Sequence, residues 1–250
     1  MITITTDFGY EDHYVGAMKG VIKNINPSAE IVDISHGIKR HDIRHGAYVL
    51  MSIVDYFPSG TVYLMVIDPG VGTERRGIVA ELESGYFVGP DNGVLTLVKN
   101  RVRKVYKITK STKKATFHGR DIFAPIAAKI DMGIFDDLEP IGEFETYTIQ
   151  EPIKTKDDEI IGEIIHIDHF GNVITNIPQK VVGSANKIVF RSNTQNKAVR
   201  FVTSYGYART GELITLINSE NLLELAVNKG SARDMLSIKV GDRIKIRIVD

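Results

Sequence analysis

The stretch T-V-Y-L-M-V-I-D-P-G-V-G-T-E-R-R, residues 61–76, sets the frame for the rest of the chain. Its first half, 61–67, is continuously apolar with no helical period, so it reads as a strand buried on both faces. The run stops at Asp68, which therefore stands at the strand's carboxyl end. Pro69 fixes φ and removes a donor, while Gly70 and Gly72 permit backbone conformations closed to other residues, so this turn is shaped by its sequence. Arg75 follows within reach of Asp68. In open α/β sheets ligands bind beyond the carboxyl ends of the strands, where this carboxylate and guanidinium would lie. A salt-bridged turn without a ligand is the alternative that the stretch alone leaves open.

Outward from this strand, residues 1–6 alternate as a short strand broken by Asp7-Phe8-Gly9-Tyr10, and Asp12 is placed to cap a helix running to about Asn24. A second strand over 31–34 leads to a helix over 43–56 that ends before Pro58. Residues 77–82 and 86–88 form an antiparallel excursion, 102–108 another strand, and 120–130 a helix whose apolar face is F-A-P-I-A-A. Strands alternating with helices predict an α/β domain over residues 1–150, a mostly parallel sheet flanked by helices. Residues 151–158, with Pro152 and a run of charges from Lys154, read as a linker. The remainder to residue 250 consists of short β-rich segments at 160–167, 172–177, 187–190, 199–202, 213–217, 222–227 and 243–248, spaced as in a small barrel or sandwich.

Composition removes several function classes. Lys plus Arg and Asp plus Glu both number 31, so the chain has no global field to hold nucleic acid or an anionic membrane. It has no cysteine, hence no disulfide, thiolate metal site or cysteine nucleophile. No apolar run approaches the ~18 residues of a membrane span, and the amino terminus enters a strand directly. A cytoplasmic protein without nucleic-acid or membrane partners is expected.

Five polar constellations remain. T-D-F-G at Asp7 lacks every companion of a kinase site, and neither G-x-G-x-x-G nor a P-loop occurs. Asp7 either caps the following helix or grips a ribose diol. His36, His41 and His45, with Asp33 and Asp42 between, are either solvated or a zinc or manganese site of no named spacing. His118, in T-F-H-G-R-D-I-F-A-P, lies between a strand and a helix start in the register of Asp68, so Asp68, Arg75 and His118 can converge on one crevice. The alternative is a surface-loop histidine. I-D-H-F-G-N-V-I-T-N places Asp168 and Asn172 around a glycine, and N-S-E-N adds Ser219; both are hairpin turns, or a polar set for an amino acid headgroup or a base edge.

Together, T-D-F-G-x-x-D at Thr6, I-D-P-G-V-G at Ile67, G-P-D-N-G at Gly89, F-H-G-R-D-I-F-A-P at Phe117, D-H-F-G-N-V-x-T-N at Asp168 and N-S-x-N-L-L-E-L-A-V-N-x-G-S-A at Asn218 span essentially the whole sequence. In this order they resemble the S-adenosyl-L-methionine hydroxide adenosyltransferase family, which is related to the bacterial fluorinase and chlorinase. The resemblance implies an N-terminal α/β domain, a C-terminal β-barrel and a homotrimer with active sites between subunits. It implies cleavage of S-adenosyl-L-methionine by water into adenosine and L-methionine, with no metal or other cofactor. Matched by motif, Asp68, Arg75 and His118 surround the attacking water, Asp7 grips the ribose, Asp168 and Ser219 hold the methionine part, and Asn172 lies near the adenine. Where the fluorinase pattern has an arginine after the serine of N-S, this chain has Glu220, which receives no role. The halogenating relatives lack the Asp-Arg-His set, so water is the expected nucleophile. A binding protein without turnover, a halogenase and a metallohydrolase using His36, His41 and His45 stay as alternatives; the sequence does not decide which of the three residues takes the proton.

Overall fold

Seven strands, β1 (Ile2–Thr6), β2 (Ile31–Ser35), β3 (Thr61–Val66), β4 (Gly77–Leu82), β5 (Gly85–Pro90), β6 (Val102–Ile108) and β7 (Leu138–Ile141), form one sheet in the order β2-β1-β3-β5-β4-β6-β7. This arrangement comes from a computed structural model that describes residues 1–110, 116–155, 159–183, 187–191 and 195–249. The chain divides into two units, Met1–Tyr147 and Thr148–Asp250.

In the first unit β3 explains why the sequence reads as an unbroken apolar run. Val62, Leu64 and Val66 pack with helix α1 (Tyr14–Ile25) and helix α3 (Ala124–Asp131) on one face, while Tyr63, Met65 and Ile67 pack with helix α2 (Ile43–Ile53) on the other. Successive side chains of a strand point to opposite faces, so a strand covered on both must be apolar at every position. The sheet is mixed. β2, β1, β3 and β5 run parallel to one another, as the alternating pattern implies, whereas β5, β4, β6 and β7 pair antiparallel because the excursion after Arg76 turns back along the sheet.

Three local expectations are revised. The first helix begins at Tyr14 with His13 before it and no side-chain cap, so Asp12 does not cap it; the chain turns at Gly9 (φ 69°) and enters the helix one residue later than a cap at Asp12 would place it. The second helix is capped by Asp42, whose carboxylate accepts the His45 N–H, and stops at Ile53 rather than continuing to Tyr56. β7 has no counterpart in the sequence reading. It is an edge strand containing Pro140, and only an edge tolerates a residue that cannot donate to the ladder.

The second unit is a closed barrel. β9 (Glu159–Ile167), β10 (Val173–Pro178), β11 (Lys187–Arg191), β12 (Asn196–Phe201), β13 (Leu213–Ile217), β14 (Leu222–Val227) and β15 (Arg243–Val249) pair in the order β10-β14-β13-β12-β11-β15-β9, and the β9–β10 pairing closes the ring. Every neighbouring pair is antiparallel except β12 and β13, which run parallel. Alternation fixes the faces: in β15, Ile244 and Ile246 are buried inside while Arg243, Lys245 and Arg247 are exposed. Within the stretch read as a linker, Ile153–Lys154 forms a short strand, β8, on the edge of β9, and residues 156–158 lie outside the described residues.

Candidate active site

The strand order β2-β1-β3 forces a division at the carboxyl ends of β1 and β3. The chain leaves β1 toward α1 on one face and reaches β3 from α2 on the other, so the two strand ends flank a topological switch point where a crevice opens. Thr6 pairs with Val66, which sets Asp7 and Asp68 just past the ends of adjacent parallel strands.

Asp68 continues the face of β3 that carries Leu64 and Val66, the face on which α3 packs. Its turn folds back through Val71 N–H to Asp68 C=O (3.3 Å) and Thr73 N–H to Gly70 C=O (3.2 Å), with Gly72 at φ 79°, and so returns Arg75 to the carboxylate. The guanidinium docks with two donors, Nε to Oδ1 at 3.1 Å and Nη2 to Oδ2 at 2.5 Å. Its Nη1 donates to the Arg76 C=O at 2.9 Å, and its plane lies 5.3 Å from the centre of the Phe123 ring. Only 5% of the Asp68 side chain and 10% of the Arg75 side chain is exposed, so this is a shielded, fork-shaped pair, unlike a surface salt bridge.

The same Nη2 stands 3.1 Å from Nδ1 of His118. A guanidinium can only donate, so Nδ1 accepts, and the neutral ring carries its proton on Nε2. Burial and the adjacent Arg75 cation both lower the His118 pKa, in agreement with a neutral ring. Burial raises the Asp68 pKa, with Arg75 opposing the rise. His118 is presented by an unusual helix start: Ala124 N–H bonds to Gly119 C=O, a π turn over Gly119–Phe123 that leads into α3. Such one-turn bulges recur at functional sites because they re-aim side chains. Beside Arg75 and His118 lies a cleft of about 400 Å³, rimmed by Thr73, Lys107 and Lys110.

Asp7 does not cap α1. Its Oδ2 accepts the N–H of His41 at 2.8 Å, across from the loop after β2, and its side chain is 8% exposed. The three histidines have separate partners. His36 Nδ1 meets the Thr6 hydroxyl (2.8 Å), His45 Nδ1 accepts the Lys39 N–H (3.2 Å), and the exposed His41 ring lies 3.9 Å from Asp7. Among the described residues no three His, Asp or Glu side chains gather as a metal-ligand group.

In the second unit Asp168 and Asn172 come together. Asp168 Oδ1 accepts the N–H groups of Phe170 and Asn172, both at 2.9 Å, and Oδ2 accepts the Asn172 side-chain amide at 2.9 Å, around Gly171 at φ 81°. They line a cleft of about 400 Å³ with the exposed Phe170 ring, Tyr205 and Lys229. Ser219 stands at the exposed β13–β14 turn, outside that lining, with its hydroxyl on Glu220 (3.0 Å). The residue that the sequence reading passed over is Glu224. It is 4% exposed, accepts from Tyr205 Oη at 2.7 Å, and has its pKa pushed up to about 7 by burial, with Asp168 and Glu220 adding to the rise. Its one signal in the sequence was a carboxylate inside L-L-E-L-A-V, on the face opposite Leu223 and Leu225.

The chain matches the SAM hydroxide adenosyltransferase N-terminal domain over residues 2–142 and the C-terminal domain of the same name over residues 162–245. It is 42% identical to a protein of Methanocaldococcus jannaschii named (R)-S-adenosyl-L-methionine hydrolase, over 98% of this chain and 95% of that one. A fluorinase from Nocardia brasiliensis is 25% identical over 99% of this chain and 97% of its own. The crystal structure of an uncharacterised conserved protein from Thermotoga maritima superposes with a TM-score of 0.92 at 40% identity, covering 99% of this chain and 100% of that chain.

Proposed function

The chain belongs to the SAM hydroxide adenosyltransferase family, and from that premise we propose that it hydrolyses S-adenosyl-L-methionine to adenosine and L-methionine. The observation that carries the reading is the shielded Asp68–Arg75–His118 cluster at the end of β3. Water attacks the ribose C5′; the carbon–oxygen bond forms as the carbon–sulfur bond breaks, and the sulfonium keeps the bonding pair and departs as a neutral thioether. The leaving group therefore needs no acid, and catalysis must supply position and a stronger nucleophile. Asp68 takes the water proton, a task suited to a carboxylate whose pKa burial has raised. His118, with Nδ1 held by Arg75, offers Nε2–H to orient the water oxygen, and the Arg75 cation stabilises developing hydroxide. No metal or other cofactor enters these steps.

Asp7 grips the ribose diol, Asp168 and Ser219 the methionine part, and Asn172 lies near the adenine. These assignments follow the family motifs, and for Asp7 the support is that, among the described residues, its one hydrogen bond runs through Oδ2, with Oδ1 left to a ligand. The proposed residues are divided between the two units of the chain; following the family resemblance, we propose a homotrimer whose active sites are completed between subunits, acting in the cytoplasm. Sedimentation showing a fully active monomer would remove the trimer.

The test is incubation with S-adenosyl-L-methionine in ¹⁸O-labelled water, with and without chelator. Labelled adenosine formed in both is expected. Binding without product would leave a binding protein, dependence on metal would favour a metallohydrolase, and 5′-halogenated nucleoside formed in chloride or fluoride would favour a halogenase.

A further inference from the structure

The histidine at the end of β2 is buried deeper than an ordinary loop histidine and is wired to the Asp7 loop. The β1–β2 register steps from Ile4 opposite Asp33 to Thr5 opposite Ser35, so β2 carries one extra residue. Residues three apart on a regular strand face opposite ways; the bulge turns Asp33 and His36 to the same side. His36 Nε2 then lies 3.1 Å from Asp33 Oδ1, an ion-pair distance rather than an aligned hydrogen bond, while Lys19 of α1 holds the other Asp33 oxygen at 2.6 Å. With its proton on the Asp33 side, His36 presents Nδ1 as an acceptor to the Thr6 hydroxyl at 2.8 Å. Thr6 Oγ1 in turn accepts the N–H of Phe8 at 3.3 Å, and Gly9 N–H donates to the His36 C=O at 2.8 Å. The two hydrogen bonds point the same way, from the Phe8 N–H to Thr6 and from the Thr6 hydroxyl to His36, and the far side of the ring faces the Asp33 carboxylate. Thr6 and His36 are 0% and 1% exposed, so water cannot replace either partner.

We propose that Asp33, at the surface, and the buried His36 and Thr6 form a relay that holds the Asp7 loop in its substrate-binding geometry, His36 and Thr6 being positioning residues for recognition of the ribose diol. The proposal rests on the reading of Asp7 as the ribose carboxylate. A buried histidine that merely filled space would need neither the Thr6 hydroxyl on one nitrogen nor a carboxylate facing the other. This one clamps residues 6–9 from both sides, through its ring on Thr6 and its carbonyl on Gly9, while His41 N–H fixes Asp7 Oδ2 from five residues further along the same loop.

The test separates binding from chemistry. Thr6→Val keeps the shape and removes the hydroxyl; Thr6→Ser keeps the hydroxyl. In Thr6→Val the dissociation constant for adenosine and the KM for S-adenosyl-L-methionine are expected to rise about tenfold, as for loss of a buried hydrogen bond, with kcat within about twofold. Thr6→Ser is expected to restore both constants, and His36→Ala to match Thr6→Val if it folds. Hydrogen exchange at the Phe8 amide should quicken in Thr6→Val, which reads the relay without any ligand. Unchanged adenosine affinity in Thr6→Val, beside a large loss in Asp7→Ala, would overturn the relay and leave the role of Asp7 standing. Unchanged affinity in both would overturn the reading of Asp7 and the relay with it.

Discussion

Two aspartates, each followed by a glycine turn, occupy the two units and are used in opposite ways. Asp68 gives both oxygens to another side chain, Arg75, and through it is joined to His118. Asp168 gives one oxygen to the backbone of its own turn and the other to Asn172 within that turn. The first carboxylate is a charge held in a shielded cluster, so removing it changes chemistry. The second shapes the loop that would present the methionine site, so removing it changes binding and not the chemical step. Sequence alone shows the same letters, an aspartate and a glycine within three residues, in both places.

The largest expected effect tests the first half of that contrast. Asp68→Ala, Arg75→Ala and His118→Ala should each lower kcat by ~100- to 10,000-fold while changing the dissociation constant of S-adenosyl-L-methionine far less. Because the three act as a unit, Asp68→Ala combined with His118→Ala should be little worse than the poorer single variant. Isothermal calorimetry beside single-turnover rates decides it; equal losses in binding and turnover would make Asp68 another Asp168.

The pH profile comes next. The Arg75–His118 contact exists only while Nδ1 is unprotonated, so kcat should fall toward acid by about tenfold per pH unit below its midpoint. Burial and Arg75 place that midpoint below the ordinary 6.5 of a histidine, and a flat profile from pH 8 to 4 would count against the contact.

A smaller effect belongs to the second unit. Glu224 binds its proton more tightly folded than unfolded, so its stabilising contribution is complete below pH 4.5 and is lost as pH rises through about 7. Glu224→Gln should therefore gain ~3 kcal/mol over the parent at pH 8 and below ~1 kcal/mol at pH 5, read by denaturant unfolding at both. The groups facing Glu224 are Tyr205, Asn218, Asp168 and Glu220. Asp168→Asn has the smallest expected effect on stability, a loss of ~1 kcal/mol from a disturbed turn. It should also move the Glu224 transition toward lower pH, because a like charge is gone.

What was legible in the sequence follows from periodicity. The seven barrel strands were found within a few residues because Arg243, Lys245 and Arg247 alternate with buried isoleucines, and each of the other strands has its own turn residues. β3 was found because burial on both faces leaves no polar position. The convergence of Asp68, Arg75 and His118 was legible because strand ends in a parallel register share an edge. The misses lie where one residue's chemistry depends on distant chain. Asp7 satisfies a loop 34 residues away, which no local capping rule can foresee. The π turn before α3 has the composition of an ordinary helix, and β7 lacks β-branched alternation. Glu224 is polar at an outward position, as a barrel surface should be, and its burial depends on a segment elsewhere in the chain.

That burial has a cause in arithmetic. A ring of strands in which every neighbour is antiparallel must contain an even number, since direction flips at each step and has to return to its starting sense. This ring has seven, so at least one pair must agree in direction, and β12 with β13 is that pair. Two neighbours that agree in direction cannot be joined by a hairpin; the chain has to travel back along the outside before it can start again. Residues 202–212 make that return, and Val202, Ala208, Ile214, Leu216 and Ala226 become a second small core beneath them. Tyr205 descends from the same return segment onto Glu224. An odd strand count thus lays a strap over one side of the barrel, and the strap turns an exposed carboxylate into one that titrates near neutrality.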